Sequence, residues 1–522
     1  MLDLAQIPDS PRLIDPLKLN HSGVDFLNLR QVNLDLMARC FPGIGNVTQQ
    51  VRPYSLMCWA HWKIAETYRE QGREEITVRA IEVFREKIES LVVWGAQEAE
   101  LGGVPGSSSP RPPSADGAIP LDFKSWKRAA NNTSYLAAVQ YGPSLGDLGG
   151  LGYLHWDQQD IPRVTAAGEQ LARAYDAAIR GDPSYAFLSD PGLAACDEST
   201  ATAAFRLVHP FEASPAEQSV FRDHLYSTSA IDDLRMPLGR RSASFRRVLD
   251  VLEAGLEPKD IDAVREAMAF GSTPEGRPVA SGPGPSVMGK FWALLQIRQL
   301  QRLAFEGLLA WVERLLLERG TPLPPDDIIE DALGQLADHG GWERNAAVGQ
   351  ILAAVCEPME TGEQYQAAFL YDPDRISPVR RLGVLADLTT AARPDMPALL
   401  AESMRALFLI ARSCPWMLAD PDLKAWTGRG GAERVSVAHW HGIIAQHTDS
   451  SLGSLIDIVL KNLVISQHFA VGTDRYDGER IRLRLILDEH GIDFLRGWAW
   501  QPRPTPDRLA AAISLMRGCG MV

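Results

Sequence analysis

The sequence predicts a mainly helical, multi-domain protein with a small β-hairpin near its C-terminus. Apolar residues recur at helical spacing over most of the 522 residues, which is typical of amphipathic helices packed on a core. Strict alternation of side-chain type is clear in only one segment, 480–487, and indicates a strand. Stretches rich in Gly, Ser and Pro separate the helical segments, and a chain of this length is expected to form about three or four domains.

Five segments carry the helical pattern most clearly. The longest is apolar around its whole circumference, so we expect a central helix that packs on more than one side. The first segment in chain order, 55–71, is favoured as a helix by Pro53 at its start and Gly72 at its end. In chain order the segments are 55–71, 74–98, 288–319, 397–413 and 451–469.

The predicted β-hairpin centres on 480–487, where apolar side chains alternate with arginines as in a half-buried strand. Asp477 and Gly478 lie just before it and favour a turn. The segment 468–473 is therefore the expected partner strand. A helix followed by such a hairpin is also typical of winged-helix proteins, so we expect a winged-helix-like arrangement here.

Local composition predicts the domain boundaries. Two stretches rich in Gly, Ser and Pro have little to bury and are expected to be exposed. The predicted division is an N-terminal helical domain 1–101, a flexible linker 102–118, a middle domain 119–270, a linker or loop 271–287, a central helical domain 288–426 and a C-terminal helical domain with the hairpin, 432–522.

Composition indicates an ordinary globular protein, with 45% apolar and 23% charged residues. A net charge of −14 argues against coating nucleic acid over the whole surface, although a local basic site is compatible with it. The 6 cysteines lack the close pairing of a zinc ribbon or a disulfide framework, which favours a reducing cytoplasm. The N-terminus does not resemble a secretory signal, and we expect no membrane span.

Two arginine clusters stand out in this acidic chain. The segment 235–247 has five arginines and no acidic residue, and small hydroxyl side chains lie between them. Arginine forks and hydroxyls are the groups that bind phosphate, although the segment could equally dock on an acidic protein face. The residues predicted to contact nucleic acid or a partner here are Arg240, Arg241, Arg246 and Arg247.

The second cluster lies on the predicted hairpin strand. Arg480, Arg482 and Arg484 would share one face at a spacing of roughly 6.6 Å, which can follow a phosphate backbone. Acidic residues are as frequent as basic ones in this part of the chain. The alternative is therefore a solvated or ion-paired face.

Motifs for catalysis are incomplete. Lys290 ends a GxxxxGK pattern, but Phe291 stands where a phosphate loop needs Ser or Thr. His439 and His441 could ligate zinc or iron, yet in a helix they would point apart. Ser144 in Gly-Pro-Ser-Leu-Gly lacks a good helix start after it, so we interpret that motif as a turn. We predict no catalytic residue, metal or cofactor.

The segment 41–59, FPGIGNVTQQVRPYSLMCW, reads like a signature. Its Pro-Gly-Ile-Gly-Asn-Val-Thr run, followed by Arg52, Tyr54, Ser55 and Trp59, resembles the N-terminal motif of large uncharacterised bacterial proteins from mobile and phage-defence gene neighbourhoods. The resemblance covers about fifty residues. It implies a helical component of a defence system that acts with other gene products, and it implies no chemistry.

Physically, the signature predicts a structural latch. Gly43 and Gly45 permit the positive φ of a tight turn, and Asn46 or Thr48 would cap backbone donors near the following helix start. Arg52 and Tyr54 would then fix the turn to the helices. The alternative interpretation is that Asn46, Thr48 and Arg52 form a recognition site.

These observations lead to one functional hypothesis and two alternatives. The hypothesis is a non-enzymatic helical subunit of a bacterial antiviral assembly, located in the cytoplasm, that binds DNA, RNA or a partner protein through its arginine clusters. The first alternative is an enzyme with an unrecognised site, either a nucleotide hydrolase or a metal-dependent nuclease. The second is a pure protein scaffold.

Overall fold

The computed structural model confirms a mainly helical protein with a C-terminal β-hairpin. The structure describes residues 18–19, 25–73, 76–108, 110–112, 117–122, 124–126, 141–273, 277–279, 286–355, 377–476, 480–495 and 500–522.

Helices make up most of the described chain. Those before residue 280 are α1 Arg30–Cys40, α2 Arg52–Glu70, α3 Val78–Glu98, α4 Gly142–Leu145, α5 Ala166–Ile179, α6 Tyr185–Ser189, α7 Glu198–Val208, α8 Pro215–Leu225, α9 Pro237–Glu253 and α10 Ile261–Phe270. Those after it are α11 Val287–Arg319, α12 Pro325–Gly340, α13 Val348–Val355, α14 Pro378–Thr390, α15 Met396–Ser413, α16 Pro415–Ala419, α17 Lys424–Thr427, α18 Val437–Gln446, α19 Leu452–Asp457, α20 Gln467–Asp474 and α21 Leu509–Gly518. A short 3₁₀ turn, Thr228–Ala230, and a π-helical stretch, Ile458–Ser466, complete the helical elements.

The strands of the described residues are short and pair two by two. They are β1 Lys18–Leu19, β2 Ile119–Pro120, β3 Leu154–Trp156, β4 Pro162–Val164, β5 Ala195–Cys196, β6 Arg480–Ile481, β7 Leu485–Asp488 and β8 Gly491–Phe494. β1 pairs with β6 in parallel, whereas β2 with β5, β3 with β4 and β7 with β8 are antiparallel. Each sheet in the described residues has two strands, which is too few to form a core of its own.

The C-terminal hairpin exists, but its predicted bounds are wrong. The continuous strand expected at 480–487 is interrupted, because β6 ends at Ile481 and β7 begins at Leu485. The expected partner, 468–473, is helical, and β7 instead pairs with β8 across a tight turn. The physical reason lies in His468, whose Nε2 accepts hydrogen bonds from the backbone N–H groups of Arg484 (2.9 Å) and Leu485 (3.2 Å). A buried side chain thus satisfies donors that a strand partner would otherwise take.

The chain divides into two compact units that are discontinuous in sequence. Unit 1 contains 1–35, 269–271 and 283–505, and unit 2 contains 36–268, 272–282 and 506–522. The stretch 102–118, expected as a linker between domains, lies inside unit 2. A stretch rich in Gly, Ser and Pro therefore need not mark a boundary between compact units.

Unit 1 is organised around α11, which is buried along nearly its whole length, as its apolar circumference predicts. It packs mainly on α15 and α14. Gly307 allows the close approach to α15, because a Cβ atom there would lie 2.7 Å from the Ser403 hydroxyl. The contacting surfaces of the two helices thus require a residue without a side chain at this position.

α11 also carries charged residues into this core. Glu313 forms a buried ion pair with Arg484 and accepts a hydrogen bond from the backbone N–H of Trp500. Arg298 donates to the Val435 carbonyl at 2.8 Å. Burying a charge is costly unless it is paired or hydrogen-bonded, so these contacts tie the loops after α17 and the C-terminal hairpin to one helix.

One helical run of the described residues, Leu452–Asp474, is long and apolar enough to span a membrane by length and composition. It joins α19, the π-helical stretch and α20, and 56% of its apolar window is buried in the protein. The π-helical stretch packs on α11 within unit 1.

Glu306 on α11 gives unit 1 a testable pH dependence. Burial raises the pKa of this carboxyl to about 7, and Asp25 adds to the increase while Arg302 and Arg30 oppose it. The unfolded chain loses the proton near the ordinary value of 4.5, whereas the folded chain keeps it until about pH 7. The contribution of Glu306 to stability therefore falls as pH rises through this interval, by about 3 kcal/mol.

Replacing Glu306 with Gln removes this titration. We expect the stability of Glu306→Gln relative to wild type, measured by urea unfolding at several pH values, to rise between about pH 4.5 and pH 7.5. Parallel stability curves for the two proteins would contradict the assignment.

Candidate functional site at the signature turn

The signature turn is the part of unit 2 where separate sequence motifs meet. Gly43 has the predicted positive φ, at +82°, whereas the positive φ predicted for Gly45 is wrong. A Cβ atom on Gly43 would lie 2.8 Å from the backbone of Gly150. A Cβ atom on Gly45 would lie 2.8 Å from the Ser144 hydroxyl. The Pro-Gly-Ile-Gly-Asn turn thus packs directly on the Gly-Pro-Ser-Leu-Gly motif, with glycines where the two backbones approach most closely.

Buried hydroxyl groups lie beneath the turn. Thr48 Oγ1 accepts a hydrogen bond from the backbone N–H of Gly45 and lies 3.2 Å from Ser144 Oγ. The Tyr54 hydroxyl faces these two groups without completing a well-aligned hydrogen bond. Burial raises the pKa of Tyr54 to about 12, so the phenol stays protonated and neutral. This geometry makes Thr48 and Ser144 part of a polar cluster that holds the turn.

Arg241 joins this cluster to the end of α8. Its guanidinium donates to the carbonyls of Leu225 (2.8 Å), His224 (3.0 Å) and Pro42 (3.2 Å). The first two carbonyls end α8, where the helix dipole favours a cation. Burial lowers the pKa of Arg241 to about 10, which still leaves it charged. The residue predicted to bind phosphate therefore caps a helix and fixes the signature turn.

Helix geometry decides which way the neighbouring arginines point. The segment predicted as a basic cluster is part of α9, in which consecutive residues point about 100° apart. Arg247 faces inward and donates to the carbonyls of Met268 and Ala267. Arg246 lies outward between Asp250 and Glu253, and half-buried Arg240 donates to two backbone carbonyls. Each Arg-Arg pair thus divides between interior and surface, which a sequence cluster does not reveal.

Arg52 is a buried structural residue. It pairs with Glu217, donates to the Leu207 carbonyl at 2.9 Å and lies over the Tyr175 ring at 4.4 Å. It thereby connects the start of α2 to α5, α7 and α8, which agrees with a latch. The expected capping is wrong, because α2 begins after Val51 with no side-chain cap. Of the predicted recognition residues, Thr48 and Arg52 are buried, and only Asn46 is partly exposed.

The hairpin arginines do not form the predicted outward line. Arg484 is 1% exposed and pairs with Glu313. Arg482 lies in the segment that joins β6 to β7 and is half-buried. Arg480 lies on β6, and its side chain is outside the described residues. Alternation requires a continuous strand, and the interruption between β6 and β7 removes it.

The motifs behind the enzymatic alternatives have other partners. Lys290 lies in the first turn of α11 and pairs with Asp420 and Asp422. His441 contacts the Ala411 carbonyl, and His439 lies two positions earlier on α18. Within the described ranges, no group of three or more metal-binding side chains is present.

Sequence reasoning missed an exposed apolar group beside the signature turn. Leu148, at the tip of the loop after α4, is 95% exposed, and Trp156 on β3 is 45% exposed. Val47, in the adjoining turn, is 52% exposed. We call these three residues the Leu148 patch. Leucine within a Gly-rich run was the available signal, because such a run has no helical or strand neighbours to bury it.

Comparison with family models, curated proteins and solved structures found no match to this chain.

The packing of the signature turn predicts different costs for two glycine substitutions. Gly43→Ala introduces both a positive-φ penalty and a collision with Gly150, so we expect a loss of about 3 kcal/mol in unfolding free energy. Gly72 also has a positive φ, of +65°, but open space around it, so Gly72→Ala is the matched control and should lose about 1 kcal/mol. Equal losses in urea unfolding would show that the predicted collision is absent.

The capping role of Arg241 predicts a structural effect of its removal. Arg241→Gln leaves carbonyls at the end of α8 and in the signature turn without their donor, and we expect a loss of about 2–3 kcal/mol. Arg235→Gln, at an exposed position, should change stability by less than about 0.5 kcal/mol. Thermal unfolding followed by circular dichroism measures both, and an Arg241 variant as stable as wild type would refute the role.

Proposed function

We propose that this protein is a non-enzymatic helical subunit of a bacterial antiviral assembly and that it acts by binding a partner protein. The observation that carries the proposal is the internal use of the arginines. Arg241, Arg247 and Arg484 are buried on carbonyl or carboxylate partners, so they are not available to phosphate. The net charge of −14 further favours a protein partner over nucleic acid.

The signature motif supports the same proposal. Its resemblance to proteins of phage-defence neighbourhoods implies that the chain acts with other gene products. Its conspicuous residues have structural roles, because Thr48 holds the turn and Arg52 ties the start of α2 to α8. A motif whose buried polar residue Thr48 fixes the turn while Val47 stays exposed is well suited to present Val47 to another molecule.

Two measurements test the partner class. First, fluorescence anisotropy with duplex and single-stranded DNA and RNA across a salt series compares wild type with the charge reversal Arg240→Glu/Arg246→Glu, which affects the more exposed arginines of α9. We expect weak binding at low salt that the variant does not alter. Tight binding whose steep log–log salt slope flattens in the variant would establish phosphate contacts and overturn the proposal.

Second, the tagged chain is purified from cells that carry its natural gene neighbours and is analysed by size-exclusion chromatography and mass spectrometry. We expect co-elution with another protein at a fixed stoichiometry. Elution of the chain alone under all conditions would contradict the subunit role. Turnover of ATP that Lys290→Ala abolishes would contradict the non-enzymatic role.

A further inference from the structure

The Leu148 patch differs from ordinary scattered surface apolar residues. Single exposed apolar side chains are normal on a soluble protein. Here Leu148 and Val47 come from two loops that pack directly on each other through Gly43 with Gly150 and Thr48 with Ser144, and Trp156 on β3 contacts the Leu148 loop at Gly146. Adjoining apolar groups at one place on a surface are typical of a protein–protein contact.

Backbone hydrogen bonds hold the loop that presents Leu148. The Leu151 N–H donates to the Ser144 carbonyl at 2.7 Å, and the Tyr153 N–H donates to the Leu145 carbonyl at 2.8 Å. The Gly152 N–H donates to the Gly146 carbonyl at 3.0 Å. A Cβ atom on Gly150 would lie 2.3 Å from that same carbonyl oxygen, so the loop is tightly folded on itself. Because its geometry is set in advance, a partner would bear little ordering cost.

Trp156 extends the patch from β3. Its ring packs over Gly146, where an added Cβ atom would lie 3.0 Å from the ring. This contact involves the outer edge of the indole and leaves the side chain 45% exposed. Tryptophan in such a position is the residue type that most often dominates binding energy at interfaces.

The exposed charged residues that neighbour Leu148 and Trp156 in sequence are acidic. Asp147 and Asp160 are exposed, whereas the charge of Asp157 is balanced by Arg163 at 3.1 Å. A second copy of this chain would place the same carboxylates opposite each other in a symmetric contact, which is unfavourable. An anionic membrane would repel them as well. Charge complementarity therefore favours a different protein with a basic rim.

We propose that the Leu148 patch is the docking surface for a partner protein that offers an apolar pocket rimmed by Lys or Arg, with Leu148 as the side chain that enters the pocket. This inference rests on the proposed function, because it names the surface and the chemistry of the partner. Val47 places the signature motif at the edge of the contact.

The first test is site-specific photo-crosslinking in cells with the natural gene neighbours. The photoreactive amino acid p-benzoylphenylalanine replaces Leu148, or Leu487 as the matched control. Leu487 is 67% exposed on the hairpin of unit 1. We expect position 148 alone to crosslink one partner, in a peptide that contains apolar residues next to Lys or Arg. Crosslinks to another copy of this chain, the same products from both positions, or no product at 148 would overturn the proposal.

The second test measures affinity for the crosslinked partner after its purification. We expect Leu148→Asp to weaken binding at least tenfold and Leu487→Asp to change it less than twofold. Asp147→Lys/Asp160→Lys should slow association and reduce its salt dependence. Wild-type affinity in Leu148→Asp, with the partner still bound, would refute the patch while the proposed function stands. If wild type binds no partner, the proposed function fails and the patch fails with it.

Discussion

Unit 2 depends on one guanidinium that joins a helix end to a turn. Arg241 donates to the last carbonyls of α8 and to Pro42 in the signature turn. The carbonyls at a helix C-terminus lack partners within the helix and carry partial negative charge, so a buried cation there is stabilised without a carboxylate. Because the turn in turn supports the Gly-Pro-Ser-Leu-Gly motif through Thr48 and Ser144, the position of the Leu148 patch follows from this contact.

In unit 1 the central helix α11 is largely apolar but also buries charged side chains, which need partners. The buried ion pair of Glu313 with Arg484 and the hydrogen bonds of Arg298 hold irregular segments against α11. Buried pairs of this kind add little net stability compared with apolar packing, but breaking one is costly because an uncompensated charge remains. They therefore specify which segments lie against the helix. His468 has a similar role, and burial lowers its pKa to about 4, which keeps its Nε2 available as an acceptor at neutral pH.

Both units place charged side chains in their interiors, and unit 2 exposes the apolar side chains of the Leu148 patch. The sequence hypothesis assigned binding to the arginines because of their charge, whereas the structure buries several of these arginines. An arginine next to small residues can contact phosphate, a helix end or a carboxylate, and the sequence neighbourhood is the same in each case. The Leu148 patch was found in the structure and was not predicted from charge or sequence motifs. Leu148 within a Gly-rich run is its one sequence signal, and the exposure of Leu148 follows because that loop folds on its own backbone.

The sequence by itself determined the mainly helical class, the burial of α11 on all sides and the tight turn at Gly43, because spacing, propensity and positive φ are local properties. It also indicated a C-terminal hairpin, although not its register. Only the tertiary structure decided which arginine of each pair faces inward, that Arg52 meets Glu217 across 165 positions, and that the signature turn packs on the loop of Leu148. These outcomes depend on contacts between segments distant in sequence, which no local pattern encodes.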